Sequence, residues 1–212
     1  MVLALSFAGF VYWLLRGQRA APVSSLSVPR ATTEFVDMFN GRDLEGWDFD
    51  PEIWAVHDGV ISGRQKRGDP GSALFWRDSD VADFELRFLF RLFRGNSGVN
   101  YRSTRLADFD VGGYEFEIYT NKTGNLANVG SDRQRYRLYR AADTEEPINS
   151  KWHEGVIIAN GRRLIHVLDG QTLCDVEDTN AAAPRAGVIA FGISSATVVE
   201  FKELRLKRLK TN

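Results

Sequence analysis

The sequence has only one cysteine, Cys174, and only three histidines, His57, His153 and His166. A single cysteine cannot form an intramolecular disulfide and cannot build a cysteine-rich zinc site. No two histidines lie at the spacing of a metal-binding helix, and the sequence has neither a glycine-rich phosphate loop nor a nucleophile elbow. The absence of these motifs predicts neither a bound metal nor a cofactor. A calcium ion held by Asp108 and Asp110 in "LADFDVGG" is the alternative.

The sequence also lacks an excess of charge of one sign. It has 27 basic and 28 acidic residues, which are interspersed and give a net charge of -1. A nucleic-acid-binding protein needs a concentrated basic face, so we predict no nucleic-acid partner. The composition is that of an ordinary soluble globular protein, and 212 residues suggest one domain.

The sequence has few long apolar runs of the kind found in membrane proteins. The longest covers residues 2–15 and is followed by Arg16. A spanning helix needs about 20 apolar residues, whereas the apolar region of a signal peptide has about 7–15. No basic residue precedes the run, and no small-x-small cleavage site follows it. We interpret residues 1–20 as a signal peptide or membrane anchor, with a buried core helix as the alternative. A flexible linker over 21–33 and one domain over 34–212 would follow, in an exported protein that is periplasmic, extracellular or tethered to a membrane.

Alternation of apolar and polar residues dominates the chain after residue 33. In "FELRFLFRLF", Phe84, Leu86 and Phe88 fall on one face of a predicted strand, which indicates that this face is buried. Turn signals separate such runs at intervals of about ten residues, and Asp169–Gly170 has the sequence of a two-residue hairpin turn. No long stretch shows helical periodicity. The pattern predicts an all-β sandwich of two sheets.

The polar faces of these strands have charges of both signs. Arg87, Arg91 and Arg102 could lie opposite Glu115 and Glu117 in a polar cleft. An ordinary solvated sheet face with cross-strand ion pairs is the alternative. The two glutamates are two residues apart on one strand, so they point to the same side. Such a carboxylate pair could supply an acid and a base for glycoside cleavage.

His166 lies in the alternating run "RLIHVLDG". Leu164 and Leu168 share its side of the predicted strand. A lone histidine among apolar residues is typical of a core position in which the ring is satisfied by hydrogen bonds. A catalytic role is the alternative.

Several short motifs, taken in order, resemble those of the bacterial 3-keto-disaccharide hydrolase family. They are "FNGRDLEGW", "WAVHDG", "DFELRFLFR", "NSGVNYR", "GYEFEI", "KWHEGVIIANGRRLIHVLDG" and "VVEFKELRLKRL", and they cover about residues 35–210. The resemblance implies a concanavalin A-like lectin or glucanase fold, a two-sheet jelly roll. It also implies a carbohydrate or glycoside ligand.

The family resemblance implies a glycoside substrate whose sugar is oxidised at C3. A 3-keto group acidifies the hydrogen at C2, so cleavage could proceed by elimination and rehydration, which needs a base and an enolate-stabilising group. The resemblance makes Glu115 or Glu117 the candidate base, Arg102 the candidate enolate stabiliser and His166 the candidate proton donor. The substrate-binding candidates are Asn96, Arg102, Arg87 and Tyr119.

The sequence departs from the family pattern at three polar positions. Gly192 stands where the family has Gln, Ser194 where it has His, and Glu117 where it has Gln. These differences could change the substrate or remove turnover. A non-catalytic, lectin-like carbohydrate-binding module is therefore the second hypothesis, and a scaffold or adhesive domain is the third.

Overall fold

The computed structural model describes residues 34–78, 80–120, 123–129, 135–139 and 150–210. The predicted signal or anchor over 1–20 and the predicted linker over 21–33 lie outside these ranges. Within them, the chain forms two antiparallel sheets and no helix, so the predicted all-β sandwich is confirmed. None of the residues described in the structure belongs to a helix that could cross a membrane.

An eight-stranded sheet, which we call the back sheet, forms one layer of the sandwich. Its order is β13-β12-β11-β6-β15-β4-β3, and β1 pairs with β15. Its strands are β1 (Val36–Asp37), β3 (Trp54–His57), β4 (Val60–Arg64), β6 (Phe84–Arg94), β11 (His153–Asn160), β12 (Arg163–Leu168), β13 (Gln171–Glu177) and β15 (Val198–Arg208).

A seven-stranded sheet, which we call the front sheet, forms the other layer. Its order is β10-β9-β8-β7-β14-β5-β2. Its strands are β2 (Trp47–Asp48), β5 (Ser72–Trp76), β7 (Asn96–Arg105), β8 (Val111–Tyr119), β9 (Leu126–Val129), β10 (Arg135–Tyr139) and β14 (Val188–Ile193).

The core lies between the sheets and is built from the apolar faces that the alternation predicts. The ring of Phe88 on the back sheet makes edge-on contacts with Phe116 and Phe191 of the front sheet, at centroid distances of 5.6 and 6.1 Å. All three rings are buried, and full burial of a Phe side chain stabilises a fold by roughly 1.5–3 kcal/mol. The opposite face of each strand is thereby left to solvent or to a ligand.

The predicted hairpin turn is present between β12 and β13. Asp169 and Gly170 both have positive φ, 46° and 82°, as a type I′ turn requires. The Asp169 carboxylate also accepts hydrogen bonds from the Glu154 backbone N–H and pairs with His153 at 2.8 Å. These contacts fix the end of β12 against β11.

Candidate functional site

The outer face of the front sheet has a floor of small residues at its centre. The registers align Ala73 on β5, Gly192 on β14 and Gly98 on β7 in one row, and Glu117 on β8 continues it. Three neighbouring positions therefore carry a methyl group or no side chain. Asn100 flanks this row on one side and Asn96 on the other, and the space above the floor is a groove that both residues line.

Glu115 reaches into this groove because Gly98 has no side chain. A Cβ atom built on Gly98 would collide with the Glu115 carboxylate and would lie 2.8 Å from its Cγ. The Glu115 side chain therefore crosses from β8 over β7. Asn100, the register partner of Glu115, is buried beside it, and its Oδ1 would lie 3.1 Å from a Cβ atom on Gly192. A carboxylate and an amide therefore both lie at the groove floor, over Gly98 and beside Gly192.

Glu117 is buried and engaged in positioning other side chains. Its carboxylate accepts hydrogen bonds from Nδ2 of Asn125, at 2.7 Å, and from Nδ2 of Asn96, at 3.2 Å. Asn96 lines the groove, whereas Glu117 is not among its lining residues. The structure therefore separates the two glutamates, with Glu115 in the groove and Glu117 behind Asn96.

The loop between β7 and β8 forms one wall of the groove. Phe109 in this loop packs on a small apolar cluster of the outer face that includes Phe75, and the Arg105 guanidinium lies 4.8 Å from the Phe75 ring centre. Because β5 is two strands away from β7, the loop must cross the sheet. Between this wall and Glu115 the groove has a volume of about 240 Å³, and Asp110 and Ser194 also line it.

Arg102 does not lie in the groove, contrary to the prediction. A register shift between Tyr101 and Thr104 interrupts the alternation of β7, and Arg102 has a φ of 46°. Its buried guanidinium pairs with Asp83 at 2.8 Å and donates to the carbonyl oxygen of Gly161. A bulge of this kind redirects one side chain. The Arg102 side chain therefore points away from the groove, and its contacts join the front sheet to the back sheet.

The buried environment of Arg102 supports a structural role. Burial lowers the pKa of its guanidinium, and the neighbouring Asp83 carboxylate opposes that effect. Asp83 Oδ1 also accepts a hydrogen bond from the Gly161 backbone N–H at 2.9 Å. This ion pair holds β7 of the front sheet to the turn between β11 and β12 of the back sheet.

His166 is also absent from the groove, because it lies in the core between the sheets. The ring is fully buried, and Nδ1 lies 3.0 Å from the carbonyl oxygen of Gly124 while Nε2 lies 2.9 Å from the Tyr101 hydroxyl. A carbonyl can only accept, so Nδ1 has the proton and Nε2 accepts from the tyrosine. Burial lowers the pKa of His166 to about 4. A neutral ring with both nitrogens engaged inside the core cannot protonate a sugar in the groove.

Arg87 lies on the back sheet, on the far side of the molecule from the groove. It pairs with Glu85 at 2.6 Å and approaches Glu154 at 3.6 Å. Arg91 on the same strand pairs with Glu200 at 2.6 Å. The cross-strand ion pairs of a solvated face, which were the alternative interpretation, therefore account for these arginines.

Tyr119 lies at the end of β8 on the same side of the strand as Glu115. It is exposed, and its register partner is Asn96. It is not among the residues that line the groove. Of the predicted site residues, the structure brings Asn96 and Glu115 into the groove and leaves Tyr119 near one end.

Sequence reasoning missed Phe109 and Asp110 as groove residues. Both lie in the loop "LADFD", where no periodicity indicates which way a side chain points. The alternation of β7 predicts that Asn100 points outward with the glutamates, and the structure places it in the groove. Ser194, a departure from the family pattern, also lines the groove. Among the residues described in the structure, no three His, Cys, Asp or Glu side chains are grouped as metal ligands would be.

Comparison with known proteins agrees with this architecture. The chain is 23% identical over 176 residues to a 3-keto-disaccharide hydrolase of Bacteroides thetaiotaomicron, and the match covers 70% of this chain and 60% of that protein. A crystal structure of a candidate glycosyl hydrolase from Parabacteroides distasonis superimposes with a TM-score of 0.65 at 18% identity, covering 83% of this chain and 94% of that one.

A carbohydrate-binding module of Bacillus subtilis, CBM66, has the same fold. Its TM-score is 0.60 at 18% identity, and the superposition covers 76% of this chain and 95% of the module. Residues 34–207 match the family described as the 3-keto-alpha-glucoside-1,2-lyase-like domain. Because this match takes in most of the chain, including both sheets and the groove, the chain belongs to the 3-keto-alpha-glucoside-1,2-lyase-like domain family.

Proposed function

We propose that the groove of the front sheet binds a 3-keto-glycoside and that Glu115 is the base that starts its cleavage. The observation that carries this proposal is the position of the Glu115 carboxylate, which lies over Gly98 at the centre of the groove floor. Membership of a lyase-like family supports the substrate class. The name of the Bacteroides relative, a 3-keto-disaccharide hydrolase, supports it as well.

The proposed chemistry is an elimination followed by addition of water. The ketone at C3 acidifies the C2 hydrogen, and Glu115 takes this proton while an enolate forms. The enolate electrons then form the C1–C2 double bond as the C1–O bond breaks, and the departing oxygen takes up a proton. Water adds across the double bond, so the net reaction is hydrolysis. A positioned base contributes typically 10²–10⁴-fold to such a step.

Hydrogen-bond donors for the enolate are available from amides in this groove. Asn96 and Asn100 both line it, and each side-chain amide has two N–H donors. Glu117 accepts one donor of Asn96 and so fixes the orientation of that amide. The amides take the place of Arg102, which the structure puts in the buried pair with Asp83.

Carbohydrate binding without turnover is the second candidate function. The observation that favours it is the character of the groove lining, which has no His, Lys or Arg among the residues described in the structure. Among the groove-lining residues that the structure describes, the side chains with an exchangeable acidic proton are the carboxylic acids Asp110 and Glu115. CBM66, which is named a carbohydrate-binding module, has the same fold.

The two candidates are separated by product analysis with the full chain. The protein is incubated with methyl 3-keto-α-glucoside and with methyl α-glucoside, and binding and products are followed by calorimetry and NMR. The enzyme proposal predicts release of methanol from the keto form, and loss of turnover with retained binding in Glu115→Gln. Glu154→Gln on the back sheet is the matched control and keeps full activity. Binding of either sugar without product supports the second candidate, and full turnover by Glu115→Gln would exclude Glu115 as the base.

A further inference from the structure

A second depression adjoins the groove on the other side of the β7–β8 loop. We call it the side depression, and it has a volume of about 560 Å³. Its lining includes Ser72, Arg105, Asp108 and Phe109. Gly71, Ser72 and Phe109 line both it and the groove, so the two spaces are neighbours with Phe109 between them.

We propose that the side depression is a second subsite, which holds the unit attached to the sugar in the groove. This inference rests on the proposed function and adds the size and direction of the ligand. The groove alone is smaller than the ~300–1,000 Å³ typical of a ligand cleft, whereas the two spaces together lie within that range. A ligand of two units would use both.

The side depression has a cationic group that is held in place by several contacts. Arg105 donates from one guanidinium nitrogen to Asp48 at 2.7 Å and lies over the rings of Phe75 and Phe109, at 4.8 and 5.3 Å from their centres. A guanidinium has five N–H donors, so this bond to Asp48 leaves others for hydroxyl groups of a ligand. A side chain whose position is fixed before binding loses little conformational entropy when the ligand arrives.

The backbone of the dividing loop is held in an uncommon conformation. Asp108 and Phe109 have φ values of 57° and 55°, although neither is glycine. The loop is closed by a hydrogen bond from the Leu106 N–H to the Asp110 carbonyl, at 2.8 Å. Successive left-handed residues cost free energy and are concentrated at binding sites, where the strain positions a side chain. Here they place Phe109 at the boundary of the two spaces.

Ser72 gives independent support at the same boundary. Its side chain is buried, and its Oγ has no hydrogen-bond partner among the residues that the structure describes. A buried hydroxyl without a partner is unfavourable, because folding removes its hydrogen bonds to water and supplies no replacement. A ligand that spans the boundary could supply the missing partner.

The test compares a one-unit and a two-unit probe, methyl 3-keto-α-glucoside and 3-keto-trehalose, by calorimetry with the full chain. We expect the wild-type protein to bind the two-unit probe at least tenfold more tightly. Arg105→Met should remove most of that difference and leave the affinity for the one-unit probe unchanged within twofold, because Arg105 lines the side depression and not the groove. Arg77→Met is the matched control, because Arg77 pairs with the same Asp48 but does not line the side depression.

The outcomes separate failure of this inference from failure of the proposed function. If the wild-type protein binds both probes with equal affinity, or if Arg105→Met weakens both probes equally, the second subsite is excluded while the groove proposal stands. If the wild-type protein binds neither probe, both proposals fail. Thermal unfolding of each variant without ligand verifies that the fold is intact.

Discussion

Replacement of His166 should reduce the dependence of stability on pH. Burial lowers the pKa of this histidine from 6.5 to about 4. The unfolded chain therefore binds a proton as the pH falls through 6.5, while the folded protein does not bind it until about pH 4. The stability associated with the neutral ring is complete above pH 6.5 and is lost between pH 6.5 and 4. At pH 5 the loss relative to pH 8 is about 2 kcal/mol, and the full difference is about 3 kcal/mol.

The assay is urea unfolding followed by tryptophan fluorescence at pH 8 and pH 5. His166→Asn retains a donor for the Gly124 carbonyl, so it tests the titration rather than the loss of every contact. The wild-type protein should lose about 2 kcal/mol more than this variant between the two pH values, because the carboxylates of both proteins titrate alike. His57→Asn, at an exposed position, serves as the control for removal of a histidine. Equal pH dependence in wild type and His166→Asn would refute the placement of this ring in the core.

Two further predictions concern residues that the structure assigns to support or to the groove. Arg102→Met leaves the Asp83 carboxylate buried without its cation, so urea unfolding should show a loss of about 3–5 kcal/mol; a loss below about 1 kcal/mol would show that the pair is exposed. Gly98→Ala should displace the Glu115 carboxylate, which its methyl group would meet, and should lower turnover or binding at least tenfold with unchanged thermal stability. Wild-type turnover and binding in Gly98→Ala would count against a central position for Glu115.

The sandwich could be predicted from the sequence because alternation reports burial directly. "FELRFLFRLF" became β6, with Phe84, Phe88 and Phe90 in the core. The turn at Asp169–Gly170 was predictable because few residue pairs tolerate positive φ at both positions. Local pattern and local backbone chemistry are enough for such features.

The site was only partly predictable, for three separate reasons. Alternation shows which side of a strand a residue occupies but not which sheet the strand joins, so Arg87 was grouped with Glu115 although they lie on different sheets. A bulge changes the side of the strand on which later residues fall. Because of the bulge after Tyr101, the Arg102 side chain points into the protein interior. The pattern around His166 did favour a core position, whereas the family resemblance suggested a catalytic one. The structure places the ring in the core.

The central claim is that the Glu115 carboxylate removes the C2 proton of a sugar bound in the front-sheet groove. It is tested most directly by NMR of methyl 3-keto-α-glucoside in D₂O with the wild-type protein and with Glu115→Gln, in which loss of the C2 proton signal and release of methanol are followed together. We expect the wild-type protein to accelerate both processes. In Glu115→Gln both should be slower than in the wild-type protein by about 10²-fold or more, while the sugar still binds. Equal rates for the two proteins would contradict the central claim.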